Sequence, residues 1–134
     1  MSDFDATRLP TQPVGVAPDG SEVRALLQLK GGSLAHFELA PGKTSMAVAH
    51  RTVEEIWYFL GGRGEMWRKQ QDREEVVAID AGVCLTIPLG TRFQLRSSGY
   101  EPLAVIVITM PPWPGDDEVV EVEGKWEPTV AKRA

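Results

Sequence analysis

The chain has 134 residues, 43% of them hydrophobic and 25% charged, a composition typical of one folded domain and not of a disordered chain. Its formal net charge of −5 disfavours nucleic acid and anionic membranes as partners, because both attract a basic surface. The single cysteine, Cys84, excludes an internal disulfide, and we expect its side chain to be buried in the apolar stretch around it. No apolar leader segment is visible at the start, which favours a soluble, cytoplasmic protein.

Short strands separated by turns dominate the chain, which holds 13 glycines and 10 prolines. We predict about nine strands from alternating apolar and polar residues. They are residues 21–29, 33–40, 45–50, 55–60, 65–69, 76–79, 83–87, 93–96 and 103–109. Strands at this spacing are typical of an antiparallel sandwich or barrel.

The two ends of the chain differ from its centre. We divide the sequence into an extended N-terminal arm (1–20), the barrel (21–110) and a proline-rich, extended C-terminal arm (111–134). The prolines around Trp113 forbid a helix and favour an extended path. We expect Trp113 and Trp126 to anchor the C-terminal arm on the body or on a neighbouring subunit.

Two spaced motifs mark the centre of the chain. In the first, Gly42, His50, Glu55 and Gly62 stand at the spacing of a motif that also has a histidine at the position held here by Val48. Because side chains alternate along a strand, positions 48, 50 and 55 are expected to face the inside of the barrel.

In the second motif, Gly82, Pro88 and Gly90 keep their spacing, whereas Phe93 and Ser97 stand where a histidine and an asparagine belong. Through these residues, the segment 42–97 resembles a single-domain cupin of the RmlC-like type with degenerate metal-ligand motifs. The resemblance implies an all-β fold, a small antiparallel jelly-roll β-barrel known as the cupin double-stranded β-helix. It also implies a homodimer.

The resemblance bears directly on cofactors. In metal-binding cupins, three histidines and a glutamate hold a divalent ion such as Mn, Fe, Ni or Zn. Val48 and Phe93 replace two of those histidines with hydrocarbon, which leaves His50 and Glu55, whereas a catalytic site needs about three protein ligands. We therefore expect no cofactor; a divalent metal on His50 and Glu55 is the alternative. His36 is expected to face out of the barrel or into an interface.

His50 and Glu55 are the candidate catalytic residues, because both project into the same cavity. An imidazole–carboxylate pair can fix the tautomer and raise the basicity of the imidazole, which would allow proton abstraction beside a carbonyl. The jelly-roll sugar epimerases that the chain resembles work in this way. An inert buried ion pair is the alternative that we favour for the two residues, so the sequence leaves open whether the protein is an enzyme.

The candidate binding residues are Trp57, Phe93, Val48 and Arg92. Apolar and aromatic groups with a few polar ones are typical of small-molecule pockets, and we expect a small, partly apolar ligand stacked on Trp57. Arg92 adjoins Phe93, so it is expected to hold a carboxylate or phosphate at the rim.

Three functions are compatible with these residues. The first is a small-molecule-binding cupin without a complete metal site, with isomerase-like or epimerase-like chemistry on a sugar or keto acid. The second is a metal-dependent cupin enzyme of the dioxygenase or decarboxylase class. The third is a non-catalytic, dimeric module that binds a metabolite.

Overall fold

The computed structural model describes residues 3–130, and nearly all of its regular structure is β-strand. The strands are β1 (Gly15–Val16), β2 (Glu22–Leu29), β3 (Gly32–Leu39), β4 (Val48–His50), β5 (Glu54–Gly61), β6 (Gly64–Gln70), β7 (Arg73–Ile79), β8 (Cys84–Ile87), β9 (Arg92–Ser97), β10 (Leu103–Met110) and β11 (Val119–Glu121). A 3₁₀-helix, Asp116–Glu118, precedes β11. Within the described range, no helix has both the length and the apolar character needed to cross a membrane.

The strands form two antiparallel sheets. One has six strands in the order β1-β2-β3-β10-β5-β8, and the other has five in the order β11-β4-β9-β6-β7. Neighbours in each sheet are often distant in the chain, as when β10 lies between β3 and β5. The predicted all-β, antiparallel jelly-roll architecture is confirmed.

The alternation of side chains along β5 is the clearest local reason for this fold. Glu55, Trp57 and Phe59 are buried between the sheets, while Ile56 and Tyr58 point outward and are exposed. β10, its neighbour, repeats the pattern, and its buried residues face the same core. A shift by one residue would turn every buried side chain outward, so this pattern fixes the register.

The structure corrects one expectation about a single side chain and refines another. Cys84 is a free, exposed cysteine, because the alternation in β8 turns Leu85 and Ile87 inward and Cys84 outward. His36 lies on the outer side of β3 but is buried within the chain itself. Its cross-strand neighbour Arg24 donates a hydrogen bond to the Pro10 carbonyl, which places the N-terminal segment over this face.

Both chain ends add a strand to the barrel. β1 pairs with β2 at the edge of the larger sheet, and β11 pairs with β4 at the edge of the smaller one. Further along, the side chain of the buried Gln94 binds both the N–H and the carbonyl of Trp126, and the Arg96 guanidinium lies 4.2 Å from the Trp126 ring centroid. These contacts fix the C-terminal segment against the body, and Trp113, further back in the same segment, reaches the site described below.

Candidate functional site

A cavity of about 400 Å³ lies between the two sheets, at the end of the barrel where β5 begins and β10 ends. Residues of β2, β3, β5 and β10 line it from the larger sheet, and residues of β4 and β9 line it from the smaller one. The chain ends complete the lining, with residues 14–19 from the N-terminal side and Trp113 and Asp116 from the C-terminal side. A cavity of this size accommodates a small organic molecule.

His50 and Glu55 both line this cavity, as the alternation predicts. His50 is 8% exposed and Glu55 is 5% exposed, so both polar groups are nearly removed from solvent. The imidazole Nδ1 lies 3.7 Å from Oε1 of Glu55, and this nitrogen is buried without a hydrogen-bond partner. The two side chains are therefore neighbours that are not joined by a hydrogen bond.

Glu55 is instead held by two other donors. The indole Nε1 of Trp57 donates to Oε1 at 3.1 Å, and the hydroxyl of Thr109 donates to Oε2 at 2.5 Å. Sequence reasoning missed Thr109. The available signal was its place as the polar end of the apolar run of β10, where it is the cross-strand partner of Glu55.

The buried surroundings shift the pKa values of the two groups in opposite directions. Burial lowers the pKa of His50 to about 4, against a smaller opposing effect of the Glu118 carboxylate. Burial raises the pKa of Glu55 to about 7, although the hydrogen bonds from Thr109 and Trp57 act the other way. The imidazole is therefore neutral at neutral pH, and burial has lowered its basicity, where the sequence had suggested that its carboxylate neighbour would raise it.

Aromatic rings surround these two residues. Trp57 is stacked on Phe37 with 6.3 Å between ring centroids, and it meets Phe93 edge-on at 5.5 Å. His50 meets Phe93 at 5.3 Å and Trp113 at 5.5 Å, also edge-on. The structure thus brings Trp57 and Phe93 to the cavity as predicted candidates, and it adds Phe37 and Trp113.

The positions where the motif has its missing histidines do not favour a metal. Val48 and Phe93 are cross-strand partners in β4 and β9, buried to 2% and 3% exposure, and both line the cavity. Two hydrocarbon groups thus stand where ligands would be required, and the carboxylate oxygens of Glu55 already accept hydrogen bonds. Among residues 3–130, no three His, Cys, Asp or Glu side chains are grouped so that they could hold a metal ion. The donor set does not fit a cupin metal site.

Arg92 is the one candidate binding residue that the structure does not bring to the cavity. It precedes the inward-facing Phe93 in β9, so it points to the opposite face and is exposed. The pocket instead gains two carboxyl groups that the sequence did not single out, those of Asp19 and Asp116. Burial raises the pKa of Asp19, and hydrogen bonds from Ser21 partly oppose this rise.

Glu118 stabilises the turn that follows His50. Its carboxylate accepts hydrogen bonds from the N–H groups of Arg51 and Thr52 and from the Thr52 hydroxyl, directly after His50 in the chain. Burial alone would raise the pKa of Glu118, but these hydrogen bonds lower it below its ordinary value. The C-terminal segment therefore fixes the turn that positions His50.

Comparison with known structures defines the fold of the protein. The chain superposes on the capsular polysaccharide assembling protein CapF from Staphylococcus aureus with a TM-score of 0.69 at 16% identity, over 79% of this chain and 33% of CapF. It superposes on oxalate decarboxylase from Bacillus subtilis, a protein with Mn(II) centres, with a TM-score of 0.67 at 19% identity, over 84% of this chain and 30% of that one. The chain spans about a third of the length of each. The protein has the cupin fold, a double-stranded β-helix, as its motifs indicated.

Comparison of sequences shows the family to which the chain belongs. No protein-family model matches the chain. It is 32% identical over 112 residues to the uncharacterized protein MJ1618 of Methanocaldococcus jannaschii, and the match covers 79% of this chain and 86% of that protein. The chain belongs to the same family as MJ1618.

Proposed function

We propose that the protein binds a small organic molecule in the barrel cavity without a resident metal ion, and that Glu55 transfers a proton on that molecule. The observation that supports this proposal most directly is the position of the Glu55 carboxyl group and its raised pKa. Its carboxyl group is buried in the cavity wall, held by Trp57 and Thr109, and burial raises its pKa to about 7. A carboxyl group that gains and loses its proton near neutral pH suits both general-base and general-acid steps.

The corresponding reaction is an isomerisation of a carbonyl compound. The ionised Glu55 takes a proton from the hydroxyl-bearing carbon beside the carbonyl, and the electrons of that C–H bond move to form an enediolate. A proton then passes from the hydroxyl on that carbon to the former carbonyl oxygen, and the protonated Glu55 returns its proton to the former carbonyl carbon, so that the carbonyl group has moved by one carbon. Neutral His50, 3.7 Å away, is placed to exchange a hydrogen bond with an oxygen of the same compound.

The lining separates the two substrate classes considered from the sequence. Within the described range, the cavity is lined by no Lys or Arg, and Arg92 faces elsewhere. A keto acid would place its carboxylate among acidic and apolar groups without a cationic partner, which is unfavourable in a buried site. We therefore propose that the substrate is a carbonyl compound without an acidic group, which favours a sugar over a keto acid.

The absence of a resident metal is tested on untagged protein. We expect elemental analysis to find Mn, Fe, Ni and Zn well below one equivalent, and EDTA to leave the melting temperature unchanged, because no donor set among residues 3–130 supports a stable ion. A stoichiometric metal that EDTA removes, with a fall in melting temperature, would return the protein to the metal-dependent class.

Proton transfer is tested by deuterium incorporation from D₂O into a panel of aldoses and ketoses, followed by NMR. Wild type is expected to exchange the hydrogen beside the carbonyl of at least one compound, and Glu55→Gln is expected to abolish that exchange. Glu54→Gln is the matched control, because Glu54 is the adjacent residue of β5 but is exposed on its outer face. A thermal shift by a sugar without exchange would identify a binding module in place of an enzyme.

A further inference from the structure

Apart from His50, the titratable side chains that line the cavity in the described part of the chain are all acidic. Asp19, Glu55 and Asp116 line it, and none of the described residues around it is a Lys or Arg. The chain as a whole has a net charge of −5, so its wider field has the same sign. In a partly buried cavity, such a field raises the local concentration of cations and excludes anions.

The aromatic groups are arranged for the same kind of ligand. Phe37, Trp57, Phe93 and Trp113 all line the cavity, and three of them lie within 5.5 Å, centroid to centroid, of another ring or of the His50 imidazole in edge-on contacts. The faces of aromatic rings carry negative charge density and attract ammonium groups most strongly where water is excluded. Rings and carboxylates around one cavity form a set that recognises a positive charge.

The imidazole of His50 gives an independent indication that a ligand belongs here. This side chain is more than nine-tenths buried, it lines the cavity, and its Nδ1 has no hydrogen-bond partner. Nδ1 and Oε1 of Glu55 are 3.7 Å apart, a separation that a single N–H-bearing nitrogen can bridge. In the tautomer that carries its proton on Nε2, Nδ1 is an acceptor, and an unpaired buried acceptor is costly, so a bound donor would remove that cost.

We propose that the ligand is a small organic cation, with an ammonium group held between His50 and Glu55 and a partly apolar body against Trp57 and Phe93. This inference rests on the proposed function, because it requires that the cavity binds a small molecule. It narrows the ligand to one that carries an amino group, and it rests only on the binding part of the proposed function, since a Glu55 that holds an ammonium group is not available to take a proton from carbon. It also excludes the carboxylates and phosphates that the sequence had associated with Arg92.

The proposal predicts a pH dependence of binding. The titratable groups that act on Glu55 are His50, Asp19 and Glu118, and the two acidic ones disfavour its ionisation. Since the ionised form of Glu55 binds a cation better, the affinity for an ammonium compound should rise as the pH rises through about 7. A neutral ligand of the same shape should not show this rise.

Three probes with one hydrocarbon body separate charge from shape. They are 3,3-dimethylbutylamine, 3,3-dimethylbutan-1-ol and 3,3-dimethylbutanoate, which are respectively cationic, neutral and anionic at neutral pH. Calorimetry, with quenching of tryptophan fluorescence as a second readout, gives their dissociation constants on the full chain. We expect the amine to bind about tenfold more tightly than the alcohol, and the alcohol more tightly than the acid.

Two variants and a control locate the effect. Glu55→Gln should remove most of the preference for the amine and all of its pH dependence, since the glutamine is uncharged. Trp113→Leu, at the half-buried rim, should weaken the amine more than the alcohol. Glu54→Gln makes the same change in net charge outside the cavity and should leave all three dissociation constants unchanged.

The outcomes separate this inference from the proposed function. Equal binding of amine and alcohol, tighter binding of the acid, or a Glu55→Gln variant that keeps the preference would each overturn the inference. A neutral sugar that binds where all three probes fail would overturn it as well, but would leave the metal-free site in place. A tightly bound metal in the untagged protein would overturn both.

Discussion

The inward-facing residues of β5 contact two different environments at the two ends of the strand. At one end its inward residue is Phe59, which is fully buried with Met66, Leu95, Leu103 and Val105. At the other end its inward residue is Glu55, beside a cavity and another buried polar side chain, His50. The same alternation builds both ends, so the difference lies in side-chain chemistry. The first end stabilises the fold, and the second gives up stability to present titratable groups.

The largest effect is expected at the closed end. Phe59→Ala should lower the free energy of unfolding by about 3–5 kcal/mol, because it removes a fully buried ring from a close-packed cluster. Urea unfolding of both proteins at neutral pH measures this difference. Tyr58→Ala, one residue away and 45% exposed, is the control and should change the free energy by roughly 0.5 kcal/mol. Similar losses at both positions would mean that β5 is misregistered.

The next largest effect is expected when two substitutions convert the cavity end of the barrel into a metal site. Val48→His combined with Phe93→His places imidazoles on cross-strand partners beside His50 and Glu55. Zinc at about a hundredfold excess over its dissociation constant should then stabilise the variant by roughly 3 kcal/mol, while wild type should not respond. Cobalt absorption and a zinc-dependent melting temperature measure this gain. A folded double variant without metal affinity would show that these positions do not converge.

A smaller effect concerns the cost of the buried carboxyl group. Folded Glu55 keeps its proton up to about pH 7, whereas the unfolded chain loses it near the ordinary pKa of 4.5, so wild-type stability falls as the pH rises between these values. The full difference corresponds to roughly 3 kcal/mol. Because glutamine keeps part of the hydrogen bonding, Glu55→Gln should stabilise the protein by about 2 kcal/mol near pH 8 and by little near pH 4.5.

His50 contributes a pH dependence of stability opposite to that of Glu55, and this contribution checks the sign expected for Glu55. The unfolded chain protonates this imidazole near pH 6.5, but the folded protein resists protonation down to about pH 4, so stability falls as the pH falls through this window. In wild type the contributions of Glu55 and His50 to the pH dependence of stability oppose each other. In Glu55→Gln only the contribution of His50 remains. Melting curves at several pH values should show a steeper acid loss for the variant. Parallel curves would contradict the pKa of Glu55.

The smallest effect lies in the turn between the two motif positions Pro88 and Phe93. Gly90 has a φ of 81°, in the left-handed region that a β-branched residue adopts only with strain. Gly90→Val should therefore lower the free energy of unfolding by about 1 kcal/mol or more. An unchanged urea midpoint would mean that the turn adapts to the larger residue.

The sequence predicted the parts of the site that follow from local rules. Motif spacing and the two-residue period of strands placed Val48, His50, Glu55, Trp57 and Phe93 on inward faces, and all five line the cavity. Cys84 was predicted to be buried because of the apolar stretch around it, and this prediction was wrong, since the alternation in β8 turns it outward. Local pattern therefore gave the faces of the strands correctly wherever alternation was followed strictly.

The remaining features depend on contacts between distant parts of the chain. Thr109 reaches Glu55 only because β10 pairs with β5, and Trp113 reaches His50 only because the C-terminal segment crosses the cavity. Burial then sets the pKa of each titratable group, and burial is a property of the whole fold. No local pattern contains this information, so the neutral imidazole and the weakly acidic carboxyl group emerged only from the structure.

The most direct test of the account is an NMR titration of the Glu55 side-chain carboxyl carbon in ¹³C-labelled protein purified without a tag. Glu55→Gln assigns the resonance. We predict a midpoint at about pH 7, because burial raises the pKa of the carboxyl group and the neighbouring imidazole is neutral. A midpoint near the ordinary value of 4.5, or a resonance that titrates near 7 only after a metal has been removed, would contradict the account.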